Sequence, residues 1–146
     1  MYRFRNERLE VLLVHPGGPF WKNKDAGAWT IPKGELQEGE EPLTGAKREF
    51  QEELGIAPVG EFAELTAVKQ KGGKVVRAWA FEGDCEPAAD ASNTFTIEWP
   101  PRSGRMVEFP EIDRVEFFSL EQAKEKINPA QVSFLTELRE KVAKRG

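Results

Sequence analysis

Residues 34–56 read GELQEGEEPLTGAKREFQEELGI, and this stretch decides how the rest of the chain is understood. Two glycines and dense charge make 34–41 a loop. Pro42 suits the first turn of a helix, where its missing N–H costs nothing. At about 100° per residue, Leu43, Ala46, Phe50 and Leu54 then fall on one apolar stripe that faces a core. Gly55 ends the helix, as a glycine able to take a left-handed conformation. Beside the stripe, Glu49, Glu52 and Glu53 crowd the C-terminal half at i, i+3 and i+4. The helix dipole and mutual repulsion both disfavour negative charge there. A positive partner is implied, most simply a divalent cation.

The inventory narrows what that cation is. His15 and Cys85 are the only histidine and cysteine among 146 residues, so a zinc site of the His/Cys type cannot be assembled in one chain. Carboxylate-only ligation favours a hard ion, Mg²⁺ or Mn²⁺. A nucleophilic triad would have to use His15, which reads instead as a strand-end or loop histidine. One cysteine cannot form an intrachain disulfide, and the start of the chain carries no export signal, so a cytoplasmic setting is expected. The length suits a single domain, 1–146. No apolar run is long enough to span a membrane, and a net charge of −4 argues against nucleic-acid polymers as partners.

Outward from the central stretch, 9–15 (LEVLLVH) reads as a buried strand and 28–31 as a short second one. The loop between them carries Phe20, Trp21, Lys22 and Lys24, placed either to stack on a base and contact phosphate or to pack the rings under the loop. Residues 61–69 and 74–81 predict a hairpin turning at Gly72-Gly73. Residues 94–99 and 107–109 flank a Pro-Pro-Arg-Ser-Gly turn, and 115–118 is a final strand. Ser119-Leu120-Glu121-Gln122 is a capping box opening a short helix, and Asn128-Pro129 starts another with Val132, Leu135, Leu138 and Val142 in a stripe. Mixed strands, one internal helix and terminal helices predict an α+β or layered α/β/α domain.

Gly34, Glu40, Arg48, Glu49, Phe50, Glu52, Glu53, Gly55 and Ile56 stand at the spacings of the box that marks the Nudix hydrolases, and the chain resembles that family at every specified position. The resemblance implies an α/β/α sandwich with a mixed sheet, one catalytic helix and C-terminal helices. It also implies Mg²⁺-dependent hydrolysis of a nucleoside diphosphate linked to another group, a small-molecule substrate. Glu49, Glu52 and Glu53 would be metal ligands, with one of them or a distant-loop glutamate as base. The candidate for that distant glutamate is Glu111, although the plainer reading of that position is a solvated loop glutamate. Arg48 would orient the catalytic loop and the first glutamate, although on the helix it points away from Glu49, so no direct pair is expected. Glu40 would brace the loop, Gly34 would permit a tight turn, and the Lys33 carbonyl would turn toward the metal. Relatives carry a strand before a segment like Met1-Tyr2-Arg3-Phe4. Either the chain starts late or the first strand is short, and thinner sheet pairing near Val11 to Val14 is expected.

Substrate choice lies outside the box. Trp29-Thr30-Ile31-Pro32-Lys33-Gly34 is similar to the lead-in of diadenosine tetraphosphate and diphosphoinositol polyphosphate hydrolases, and Lys33 sets a cation beside the site. Lys69, Lys71, Lys74 and Arg77 surround the expected hairpin, either as a phosphate-binding group or as its solvated end. A dinucleoside polyphosphate is favoured. A nucleotide-sanitising triphosphatase and a non-catalytic ligand sensor are the alternatives, and oligomeric state is not legible.

Overall fold

The computed structural model describes residues 1–33, 38–70 and 72–143; Gly34 and Lys71, both singled out above, lie outside them. Strands β1 (Tyr2–Arg5) and β2 (Arg8–Pro16) form a hairpin whose two turn residues, Asn6 and Glu7, both have positive φ. That is the turn geometry that matches strand twist, and the Asn-Glu pair is a weaker signal for it than Asn-Gly.

Later elements follow in order: α1 (Pro42–Leu54), β3 (Ala63–Glu64), β4 (Val68–Lys69), β5 (Val75–Val76), β6 (Trp79–Ala80), β7 (Thr94–Glu98), β8 (Met106–Pro110), β9 (Ile112–Ser119), α2 (Leu120–Lys126) and α3 (Val132–Ala143). A 3₁₀ turn, Pro129–Gln131, precedes α3, so the last α-helix begins later than Asn128-Pro129 suggested.

The sheet is centred on β2, which pairs antiparallel with β1 and β9. Beyond Met1, Thr30 exchanges both backbone hydrogen bonds with Val14, continuing along the edge that β1 occupies. Sheet pairing from Val11 to Val14 is therefore complete, which overturns the thinner pairing expected there. A single parallel bridge between Tyr2 and Glu82 lays residues 81–83 along the outside of β1, giving the antiparallel sheet one parallel contact.

Because side chains alternate along a strand, β2 feeds two cores. Val11 and Leu13 pack with Trp29, Phe118, Leu120, Phe134 and Leu138 on the α2/α3 face. Leu12 and Val14 pack with Phe50, Leu54, Phe81, Ile112 and Val115 on the α1 face. Burying each leucine on this doubly covered strand stabilises the fold by about 1.5–3 kcal/mol. The result is the α/β/α layering that the sequence predicts, with the apolar stripe of α1 seated on one face.

The expected hairpin of 61–81 is present but broken into short pieces. Ala63 faces Ala80, whereas Val68 faces Val76, a one-residue slip in register. At the slip, Thr66 donates its N–H to Glu137 of α3 at 2.7 Å rather than to the ladder. Likewise the strand expected at 28–31 narrows to Trp29 and Thr30, wedged between β2 and the end of α2.

Candidate active site

The ends of α1 are set locally. Glu41 caps its N-terminus, accepting from the Leu43 and Thr44 amides, and the Thr44 amide above all holds the Glu41 carboxyl below its ordinary range. Gly55 closes the helix at φ 71°, and a Cβ there would come within 2.9 Å of Ala91 Cβ.

Arg48 is the hub of the box. Its Nε and Nη2 grip both oxygens of Glu40 at 2.8 and 3.0 Å, Nη2 also reaches Glu49 Oε1 at 2.8 Å, and Nη1 meets both oxygens of Glu52 at 3.0 and 3.1 Å. The pair with Glu49 corrects the expectation from helical geometry. Neighbouring Cβ atoms diverge, but a guanidinium reaching one turn along the helix to Glu52 passes within range of Glu49. Its partners, Glu40 foremost, push the Arg48 pKa further up. Much of the missing positive charge implied by the glutamate cluster is thus supplied by Arg48, which also ties loop residue Glu40 to the helix.

Glu53 stands apart from that network. Burial first, then the charge of Glu49, raises its carboxyl to about 8, while an N–H from Lys33 opposes the shift. Glu53 Oε2 is buried and accepts no hydrogen bond from the described residues. A buried acceptor with no donor costs about 1–3 kcal/mol. Glu111, between β8 and β9, adds a further negative charge that Glu53 feels. Its own position is fixed by backbone bonds, N–H to the Asn93 carbonyl and C=O from the Gly17 amide, each 2.8 Å. Glu53, Glu49 and Glu111 thus share one electrostatic neighbourhood, whereas Glu52 is half-exposed and held on Arg48. Among the described residues no three carboxylates converge as a finished cage. The donors fit a hard divalent ion all the same: they are all oxygen, and one is buried, unpartnered and destabilised as an anion.

Lys33 is half-buried, and burial followed by the nearby Lys74 charge lowers its pKa. The Phe20 and Trp21 rings are exposed rather than packed under their loop. Phe20 meets Trp99 edge to face at 5.3 Å, Lys24 lies over Trp21, and Lys22 points to solvent. His15 is fully buried and bridges Asp113 (2.7 Å) and the Lys24 carbonyl (2.6 Å), a brace for that loop rather than a nucleophile's base.

Gln131 had no signal in the sequence. Fully buried, its Oε1 accepts from the Ile31 amide and the Thr30 hydroxyl while Nε2 donates to Gln70, so it fixes the strand that leads to Lys33. A lone glutamine outside any apolar period shows nothing of this until the 3₁₀ turn sets it under Thr30.

The NUDIX domain profile matches residues 1–138. The chain belongs to the Nudix family. Among curated relatives, Nudix hydrolase 7 of Arabidopsis thaliana is 41% identical over 61 residues, which is 42% of this chain and 20% of that protein. Nudix hydrolase 25 of the same plant is 41% identical over 39 residues, 27% of this chain and 22% of that protein. The matches therefore span only about a fifth of these relatives' length. Among solved structures, a C. elegans Ap4A hydrolase binary complex superposes with TM-score 0.67 at 21% identity, covering 97% of this chain and 93% of that one. The NUDIX domain of Shewanella oneidensis NrtR complexed with ADP ribose gives TM-score 0.65 at 16% identity, covering 97% and 82%. These likenesses establish the Nudix fold. No helix among the described residues is long and apolar enough to cross a membrane.

Proposed function

We propose that this chain is a Nudix pyrophosphohydrolase, one domain over 1–146, that cleaves a phosphoanhydride bond in a nucleoside diphosphate linked to a second group. A dinucleoside polyphosphate of the diadenosine tetraphosphate type is the favoured substrate, and the cytoplasm the expected setting. The observation that carries the reading is the buried Glu53 Oε2, without a partner among the described residues, in a chain whose sequence carries a complete box. Glu49, Glu52, Glu53 and the Lys33 carbonyl are the groups that would hold Mg²⁺ or Mn²⁺. The chemistry supplied by a divalent ion held there would be neutralisation of charge on the bridging phosphates and a lower pKa for the attacking water.

The chain's own residues supply the rest. Glu53 or Glu111 would take the proton of the attacking water, Glu111 being the one of the two outside the proposed ligand set. Arg48 orients Glu49 and ties it to the loop through Glu40. Phe20 and Trp21 offer faces for a base, with Lys22 beside them for phosphate. Lys33 supports the substrate's negative charge.

The test is a panel of dinucleoside polyphosphates, nucleoside triphosphates and ADP-ribose assayed with Mg²⁺ or Mn²⁺. Glu52→Gln and Glu53→Gln are each expected to lower kcat by about 10²–10³ while the protein stays folded. Unchanged turnover in both variants, or substrate bound but never cleaved, rejects the proposal, and the second result favours a ligand sensor.

A further inference from the structure

A groove of about 410 Å³ opens between α1 and the β4–β5 hairpin, and beside Lys33 it holds the positive charge of Lys74 and Arg77, which has no part in the site described so far. Its size is that of an ordinary small-molecule site. Lys33, Lys74 and Arg77 line it together with Trp79, and α1 contributes Gly45 and Glu49, so one wall is continuous with the box helix. Gly45 has no side chain to fill the space. Arg77 is already oriented: Nη2 bonds Glu64 at 2.7 Å and the guanidinium stands 5.2 Å from the centre of the Trp79 ring. Lys33 and Lys74 are near enough to repel, yet among the described residues neither is in an ion pair. Lys33 also feels the opposite charge of Glu53, and Glu49 on the α1 wall is held by Arg48, so the hairpin side of the groove, with Lys74 and Arg77, is where an anion meets the most positive charge.

We propose that this groove seats the phosphates of the substrate that lie beyond the pair being cleaved, so that the length of the phosphate bridge sets specificity. The proposal rests on the hydrolysis reading above and deepens it. Each added phosphate brings further negative charge for Lys33, Lys74 and Arg77 to meet, whereas a diphosphate bridge engaged at the box leaves the groove without an anion.

Two measurements test it, the first of them without turnover. In calorimetric titrations of inorganic tripolyphosphate into metal-free protein, Lys74→Ala and Arg77→Ala are expected to weaken binding about tenfold each. Lys69→Ala, on the same hairpin but outside the groove, should leave it unchanged. Lys74 is exposed, so its variant folds normally; an intact melting transition checks this for both. With Mg²⁺ present, the same variants should raise KM for a tetraphosphate-bridged dinucleoside while leaving KM for ADP-ribose and kcat for both near wild type.

Equal tripolyphosphate affinity in wild type and variants overturns the groove, whatever the enzyme cleaves. Weakened tripolyphosphate binding with unaltered preference among cleaved substrates overturns its role in specificity. Weakened binding in a protein that cleaves nothing upholds the anion groove and rejects the hydrolysis reading.

Discussion

Glu53 is the residue at which the folding of this protein and its proposed chemistry meet. In the unfolded chain its carboxyl loses a proton near the ordinary 4.5, but in the folded, metal-free protein it does so near 8. Between those values the folded state binds more protons, so stability must fall as pH rises, by on the order of 4 kcal/mol across the whole window. Below 4.5 both states are protonated and the penalty vanishes. Denaturant melts from pH 4.5 to 8.5 in EDTA should show this decline, and Glu53→Gln should flatten it and be the more stable protein at pH 8. The same slope in both proteins would place its source elsewhere. Mg²⁺ should raise Tm more at pH 8 than at pH 5, because at pH 5 its binding must first displace a proton. The clustering of Glu49, Glu52 and Glu53 was legible in the sequence. Which of them would be orphaned was not, because that depends on where the Arg48 guanidinium lands.

At the scale of elements, ends proved more legible than interiors. Pro42 and Gly55 bound α1, and the Ser119–Gln122 capping box opens α2 with both reciprocal bonds in place, since each signal acts over three or four residues. Gly55→Ala is expected to destabilise by about 1–2 kcal/mol, because alanine is strained at φ 71° and its methyl meets Ala91. A two-state urea titration measures it, and a neutral result would mean that the helix end relaxes freely. Strands were harder to read. The 61–81 hairpin contains its turn but loses continuous pairing where Thr66 turns to Glu137, a partner 71 residues away. The β1–β2 turn at Asn6-Glu7 passed unnoticed because its positive φ values belong to residues other than glycine.

Across the whole molecule, the site is held by contacts distant in sequence. Gln131 reaches back about a hundred residues to Thr30 and Ile31, and His15 reaches forward to Asp113. Gln131→Leu should cost about 1–3 kcal/mol, since it takes the buried partner from the part-buried Ile31 amide and Gln70 side chain. If Lys33 contacts substrate, the same change should raise KM through the loosened lead-in strand. Equilibrium unfolding and steady-state kinetics read the two effects, and a stability loss below about 0.5 kcal/mol would mean that water replaces the lost bonds.

The sequence alone determined the helix that carries the box, its ends, the apolar stripes and the two-faced burial of β2. Periodicity and capping are local, and a strand of consecutive apolar residues has no face left for solvent. Only the tertiary structure decided that Arg48 gathers Glu40, Glu49 and Glu52, that one oxygen of Glu53 is buried out of reach of any donor among the described residues, and that Lys74 comes to face Lys33. Those outcomes depend on where long side chains and separate segments arrive once the layers have packed, and no spacing along the chain encodes that distance.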